Sequence, residues 1–367
     1  MGRFTLPIFR LLALLLFVVA TAQMALAAES GFLYSSSEIA SGNIFESDPH
    51  FSSCHASTLA ATKDGLVAAW FGGSKEGSND VAIYCSHFNG KSWSIPEKVA
   101  DGVQASGKRY PCWNPVLFQP ETGPLVLFYK VGTSAKRWWG EYQMSADDGH
   151  TWMTAQRMPR GTMGPTKNKP IELPDGSILS GSSKEYRLLR RVLLERSTDN
   201  GISWQTIAPR RDGRKYSSIQ PTVLRYPRGD IQILCRSAKG RIVESWSYDD
   251  GRTWSNVRQT ALPNPNSGID AVILKDGRAL LVYNHTKKGR TPLNIALSLD
   301  GKLWKGFQIL SDPGEYSYPA VIQTADGLVH ITYTWNRQRI RHLVIDPSKL
   351  DLKKLPLLAT AFDQIGD

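Results

Sequence analysis

Two arginines, Arg236 in "ILCRSAKG" and Arg290 in "KKGRTPLN", occupy matching places one repeat apart, each ahead of a recurring polar turn. A guanidinium is a planar fork that grips a carboxylate through two parallel bonds, so two of them suit an acidic ligand. The stretch "GEYSYPAVIQTADG" brings Glu315, Tyr316 and Tyr318 up to an Asp-Gly hairpin. The Gly-rich loop in "WFGGSKEGSNDVAIYCS" carries Glu76 and Asp80, carboxyl groups of the kind used to move protons. "KRYPCWNPVLF" adds Arg109, Trp113 and Asn114, and an exposed Trp there could stack on a sugar ring. Lys167 and Lys169 in "GPTKNKP" are anion contacts or surface charge, and Asn284 and His285 in "VYNHT" are placed to line a cleft near Arg290. Glu185 and Asp270 are further acidic candidates. Each group also has a plainer reading. A strand-end Arg often makes a structural pair, a Tyr beside Pro packs, a loop acid caps a turn, and Trp113 can pack between sheets.

The elements that hold these residues follow from two interlocked repeats. "SADDGHTW", "STDNGISW" and "SYDDGRTW" begin at Ser145, Ser197 and Ser247, with degraded forms beginning at Ser86 and Ser298. The Asp side chain bonds turn N–H groups, the Gly permits positive φ, and the Trp lies on apolar surface. A period near fifty residues signals a repeat architecture. Out of phase with it run "KDG" at 63, "ETG" at 121, "PDG" at 174, "RGD" at 228, "KDG" at 275 and "ADG" at 325, each between apolar runs. Such turns read as β-hairpins. Two hairpins per repeat make a four-stranded unit, and six units predict an all-β, six-bladed β-propeller over about residues 45 to 350. A strand from near the N-terminus is expected to close the ring, which removes exposed edges.

The opening "MGRFTLPIFRLLALLLFVVATAQMALA" has two arginines, an apolar core and an Ala-Leu-Ala site. It reads as a signal peptide over residues 1 to 27, cleaved before Ala28, leaving residues 28 to 367 as one domain. The apolar run is short for a membrane span, so no stable insertion is expected after cleavage, and the product is secreted or periplasmic. Loss of Arg3 and Arg10 takes the formal charge from +11 to +9 (11 − 2). A positive surplus on an exported chain favours an anionic glycan over nucleic acid. The four cysteines, Cys54, Cys85, Cys112 and Cys235, are too few for a disulfide scaffold; Cys54 and Cys85 could pair after export, or all four stay buried as thiols. No metal spacing and no cofactor motif is found.

The "SxDxGxTW" turns resemble the Asp-box repeats of the sialidase (neuraminidase) superfamily, over most of residues 48 to 345. The resemblance implies a sialidase-like propeller in which three arginines hold a sugar carboxylate, a Tyr attacks, a Glu supports the Tyr and an Asp is the acid/base. By that resemblance Arg236 and Arg290 are the second and third arginines and Tyr316, in a Tyr-Ser pair, is the nucleophile. Glu76, with Asp80 competing, stands for the acid/base. Two positions depart from the pattern: His55, in "HASTL", stands where the first arginine is expected, and Gln220, in "SIQPTVL", where the supporting Glu is expected. A Gln cannot take a proton. A neutral phenol avoids the repulsion that a carboxylate nucleophile would meet beside the sugar's own carboxylate. The expectation is an exo-acting glycoside hydrolase for a terminal acidic sugar, with His55, Arg109, Trp113, Asn114 and Tyr318 among the binding groups. The alternatives are a non-catalytic glycan-binding propeller and a lyase acting on uronates.

Overall fold

The computed structural model describes residues 37–358, except 49, 186–189, 211–212 and 311–312. The expected signal peptide lies outside the described residues. Six four-stranded antiparallel sheets form a six-bladed β-propeller. The inner strands of the blades are Ser53–Thr62, Cys112–Phe118, Ile171–Glu172, Ile219–Arg225, Asp270–Ile273 and Tyr316–Gln323. The last of these packs back against the first, which closes the ring. Blade 6 takes its outermost strand from the other end of the chain: Glu38–Asn43 pairs antiparallel with Arg339–Ile345. Among the described residues no helix is long and apolar enough to cross a membrane.

Both repeats form the turns expected of them. Each Asp-Gly hairpin joins the first and second strands of a blade, and each polar box joins the third and fourth. Blade 6 has no box because its fourth strand comes from the N-terminal side. In the box of blade 4, Ser247 Oγ donates to Asp249 at 2.7 Å and accepts the Gly251 N–H at 2.9 Å. Asp249 accepts the Thr253 N–H at 2.9 Å and its hydroxyl at 2.6 Å. Gly251 has φ +79°, and a Cβ there would lie 2.9 Å from Leu179 of blade 3, so the box nests on its neighbour. Trp254, 6% exposed, closes the unit by donating to the Gly251 carbonyl. Asp249→Ala is therefore expected to lower stability by about 1 kcal/mol, read as a fall in Tm. Ligand affinity should be unchanged, because the boxes lie at the end of the ring away from the residues described below.

All four cysteines are free thiols buried in strands, so Cys54 and Cys85 are not paired. Burial pushes Cys54 up to about 12, which makes it unreactive.

The seam between blades 6 and 1 carries two buried imidazoles. His342 Nε2 lies 3.0 Å from His330 Nδ1, and Trp93 Nε1 donates to His342 Nδ1 at 3.3 Å. With Nδ1 accepting, His342 donates through Nε2, and a second proton would set a donor against the Trp93 donor. Burial, then His330, lowers His342 to about 3. The unfolded chain takes up this proton below the ordinary histidine range while the folded chain does not, so stability falls as pH drops. Each pH unit below that range removes up to about 1.4 kcal/mol. Tm measured from pH 7 to pH 4 is expected to fall less steeply in His342→Gln than in the wild type.

Candidate active site

Alternating strand direction sends successive turns of each blade to opposite ends. The Asp-Gly hairpins and polar boxes gather at one end. The turns between second and third strands gather at the other, with the starts of the inner strands. Glu76 (blade 1), Arg236 (blade 4), Arg290 (blade 5) and Arg337 (blade 6) all belong to, or lead into, this second set.

Four of the six inner strands share a defect near their starts. Register slips lie between His55 and Thr58, Trp113 and Val116, Ile219 and Thr222, and Ser317 and Ala320. One residue in each slip is left-handed: Ala56 (φ 58°), Asn114 (41°), Gln220 (56°) and Tyr318 (51°). A bulge re-aims the side chain it carries, and such backbone persists for non-Gly residues only where the surroundings enforce it.

Tyr318 is the residue on which the mouth converges. Its oxygen accepts from Arg236 Nη1 at 2.9 Å and from Gln220 Nε2 at 3.3 Å. Its ring lies 5.8 Å from the Arg236 guanidinium, 5.8 Å from that of Arg290 and 5.9 Å from Lys167 Nζ. The His55 ring stands 4.2 Å away. His55 Nδ1 is 3.1 Å from Thr334 Oγ1. Burial, then Arg337, Arg290, Arg236 and Lys167, hold His55 well below its ordinary range, so it is neutral. That one imidazole feels four cations marks it as the place where their fields meet.

Arg236 is 8% exposed, and every hydrogen-bond partner it shows among the described residues is neutral. Nε donates to Asn266 Oδ1 at 2.8 Å, Nη2 to the Asn266 carbonyl, and Nη1 also to Gln220 Oε1 at 3.3 Å. Burial lowers its basicity, although a guanidinium stays protonated. A buried cation without a counter-ion is costly unless something compensates it. Arg290 differs: Nη1 meets Glu315 Oε1 at 2.8 Å. Glu315 Oε1 also accepts from Arg337 Nε at 2.9 Å, and Arg337 Nη1 reaches Glu76. Burial would raise Glu315, but Arg290 and Arg337 outweigh it and keep the carboxylate ionised.

The floor of the mouth comes from blade 3, whose inner strand is short. The segment "TKNK" crosses the channel instead. Lys167 Nζ donates to the Ile269 carbonyl at 3.0 Å and to that of Pro319, directly after Tyr318. Asn168 donates to the Gln220 carbonyl at 3.2 Å, and Lys169 meets Asp270 at 2.9 Å. Asp270 also accepts from Thr222 Oγ1 at 3.0 Å and the Val321 N–H at 2.9 Å. Burial, partly offset by Asp270, brings Lys167 down to about 7. The lysines brace blades 5 and 6 while Asn168 reaches blade 4, and Lys167 is no part of the outer surface.

Other expected residues are placed differently. Tyr316, 3% exposed, lies in the core between blades 5 and 6, 6.1 Å from Tyr333. Bulging is what separates the two tyrosines: it turns Tyr318, not Tyr316, onto Arg236. Asp80 caps its own loop by accepting the Ser74 N–H at 2.7 Å and its hydroxyl at 2.9 Å. Arg109 donates to the carbonyls of Asp101 and Asp80. Trp113 packs on Phe71 and Trp138 and donates to the Gly132 carbonyl, and buried Asn114 donates to that of Thr166. Asn284 donates to the carbonyls of Arg290, Pro292 and Tyr316, and so fixes the Arg290 loop. The Tyr283 hydroxyl meets His285 Nδ1, and Glu185 pairs with Arg190 at 2.9 Å. Arg337 and Asn266 carry no mark in the sequence motifs. Counting forward from "ADG" to the turn after the next strand would have reached Arg337.

The sequence profile of the BNR repeat-like domain matches residues 64–331. The chain belongs to the BNR-repeat group of the sialidase superfamily. This BNR-repeat chain is 26% identical over 178 residues to a protein named "Sialidase" from Micromonospora viridifaciens, covering 45% of this chain and 27% of the relative. It therefore spans about a quarter of that relative's length. Among solved structures, a protein of unknown function from Dyadobacter fermentans superposes with a TM-score of 0.72 at 18% identity, covering 84% of this chain and 98% of the other. A Hadza microbial sialidase gives 0.71 at 18% identity, covering 85% and 69%. Trypanosoma rangeli sialidase in complex with sialic acid gives 0.67 at 13% identity, covering 86% and 60%. At these identities the likeness concerns the propeller itself.

Proposed function

We propose that this BNR-repeat protein is an exported exo-acting glycoside hydrolase that removes a terminal carboxylate-bearing sugar, sialic acid or a relative, from glycans. The observation that carries the reading is Arg236, a buried guanidinium with neutral partners that shares a hydrogen bond with the Tyr318 hydroxyl. Among the described residues no carboxylate pairs with it, and a ligand carboxylate suits it as a counter-ion. Arg290 supplies a second guanidinium. The relative named as a sialidase and the sialic-acid complex of a similar propeller favour this sugar class. Export rests on the opening segment of the sequence.

Tyr318 is the nucleophile in this reading. Its oxygen attacks the anomeric carbon as the bond to the leaving oxygen breaks, and Glu76, which first takes a proton from solvent, gives that proton to the leaving oxygen. The Tyr318 proton passes to solvent at the open mouth, because Gln220 has no basic site for it. The bonds from Arg236 and Gln220 strengthen as charge grows on the attacking oxygen. Water then attacks the anomeric carbon, Glu76 takes its proton, and the Tyr318 oxygen leaves. Asp80 is set aside for this role because its carboxylate is occupied in its own loop.

Gln220 in place of a basic carboxylate favours one second reading, a propeller that binds acidic glycans without cleaving them. The test is to incubate the purified mature chain with sialosides and uronate-ended oligosaccharides. Release of free acidic sugar supports hydrolysis. Binding without release establishes the second reading, and a product with near-ultraviolet absorbance would point to elimination and overturn both.

A further inference from the structure

The turn that carries Arg337 is built at a cost and fixed from both sides. Asn336 and Arg337 are left-handed in succession, at φ 49° and 59°. Such backbone is strained for a non-Gly residue and persists where its surroundings over-determine it. Here the Arg337 carbonyl accepts the Cys54 N–H at 2.8 Å. The Asn336 N–H donates to the Glu315 carbonyl at 2.9 Å, and Asn336 Oδ1 accepts the Glu315 N–H at 2.7 Å. The turn thus sits between residue 315 and the residue before His55, and its guanidinium is held by Glu315 and Glu76.

Two carboxylates meet that guanidinium, and they are held unequally. Glu315 accepts from three groups: Arg290, Arg337 and, at 3.0 Å, Ser317 Oγ. Glu76 shows one partner among the described residues, Arg337, and its side chain is 41% exposed. Its loop is pinned separately by Asp80 and Ser74, so the side chain can turn away while the loop stays in place. A partly exposed ion pair is weakly held, so another carboxylate can replace one partner at little cost. With Glu76 in place, the three arginines face two carboxylates. Without it, Arg236, Arg290 and Arg337 face Glu315 alone.

We propose that the Arg337–Glu76 ion pair is a latch that the ligand opens: the ligand's carboxylate displaces Glu76 from Arg337, which becomes part of the carboxylate clamp, and Glu76 is released to the leaving-group side. The inference rests on the acidic-sugar reading above and extends it, since carboxylate recognition frees Glu76 from its cation, and the freed carboxylate takes a proton from solvent before it acts as the acid. Ligands of the same size without the carboxylate would leave Glu76 where it is.

The experiment is calorimetric titration with N-acetylneuraminic acid and with its uncharged methyl ester, on the full mature chain. Arg337→Gln is expected to weaken binding of the acid about 30-fold, the effect of removing one hydrogen-bonded partner of an ion pair. Ester binding should be unchanged, which also reports an intact fold. Glu76→Gln is expected to tighten binding of the acid roughly threefold, since it removes an internal competitor. In the double variant that gain should vanish. A Glu76→Gln protein that binds the acid no better than wild type, or an Arg337→Gln protein of wild-type affinity, overturns the latch. Preference of the wild type for the acid with no turnover of any glycoside would remove the hydrolytic reading and leave the latch standing. A wild type that binds acid and ester alike would overturn the latch and the clamp together.

Discussion

Tyr318→Phe is expected to lower kcat by on the order of a thousandfold or more, the scale seen when a nucleophile is removed from a catalytic unit. Affinity for the acidic sugar should stay close to wild type, because the ring remains among Arg236, Arg290 and His55 and only the attacking oxygen is gone. Tyr316→Phe is the paired control. Its ring lies in the core between blades 5 and 6, so turnover should persist. Steady-state rates and titration of the two variants decide between tyrosines two positions apart. Loss of turnover in Tyr316→Phe with retention in Tyr318→Phe would reverse the assignment.

Arg236→Lys is expected to weaken carboxylate binding about 100-fold, or roughly 2.8 kcal/mol at 1.4 kcal/mol per tenfold. Charge is kept, so the loss would come from geometry. Arg236 uses Nε, Nη1 and Nη2 at once, on Asn266, Gln220 and Tyr318. An ammonium is a point donor and cannot span that set while also presenting a planar face to a carboxylate. The buried Gln220 oxygen and the partly buried Asn266 oxygens, left without donors, would add to the effect. Equal affinity of Arg236→Lys and wild type for an acidic sugar would show that Arg236 is structural.

The propeller was legible because its evidence is local. An Asp-Gly hairpin or a Ser-Asp-Gly-Trp box folds from its own side chains, so each announces a turn wherever it stands. Arg236 and Arg290 were legible for the same reason, since each precedes a box that fixes its place in the blade. Arg337 was less so. Blade 6 borrows its outer strand from the N-terminal side and has no box, so the one reference is the "ADG" hairpin a strand earlier. The Tyr-Ser pair of the family resemblance points to Tyr316, and two-residue alternation does not separate it from Tyr318, since it puts both on one face of a strand. The bulge between Ser317 and Ala320, with the left-handed turn at Tyr318, breaks that alternation without a sequence signature. Lys167 was ambiguous for a related reason. Blade 3 has a two-residue inner strand, and the irregular segment before it crosses the channel, a non-local outcome set by carbonyls of blades 5 and 6.

The replacements at 55 and 220 have a common consequence. Neutral His55 and neutral Gln220 remove one cation and one anion from the places where the superfamily resemblance expects them. The structure brings Arg337 in beside the first, and it leaves the Tyr318 oxygen bonded to donors at the second. The account therefore asks the guanidinium field to do what a carboxylate base would otherwise do.

The central claim is a covalent bond between the sugar and Tyr318. Its most direct test is to incubate the mature chain with a sialic acid fluorinated at the anomeric carbon and at the adjacent carbon, then map the labelled peptide by mass spectrometry. The account predicts one sugar per chain, on Tyr318, and no label in Tyr318→Phe. Label on another residue, or steady glycoside turnover with no labelled protein, would contradict it.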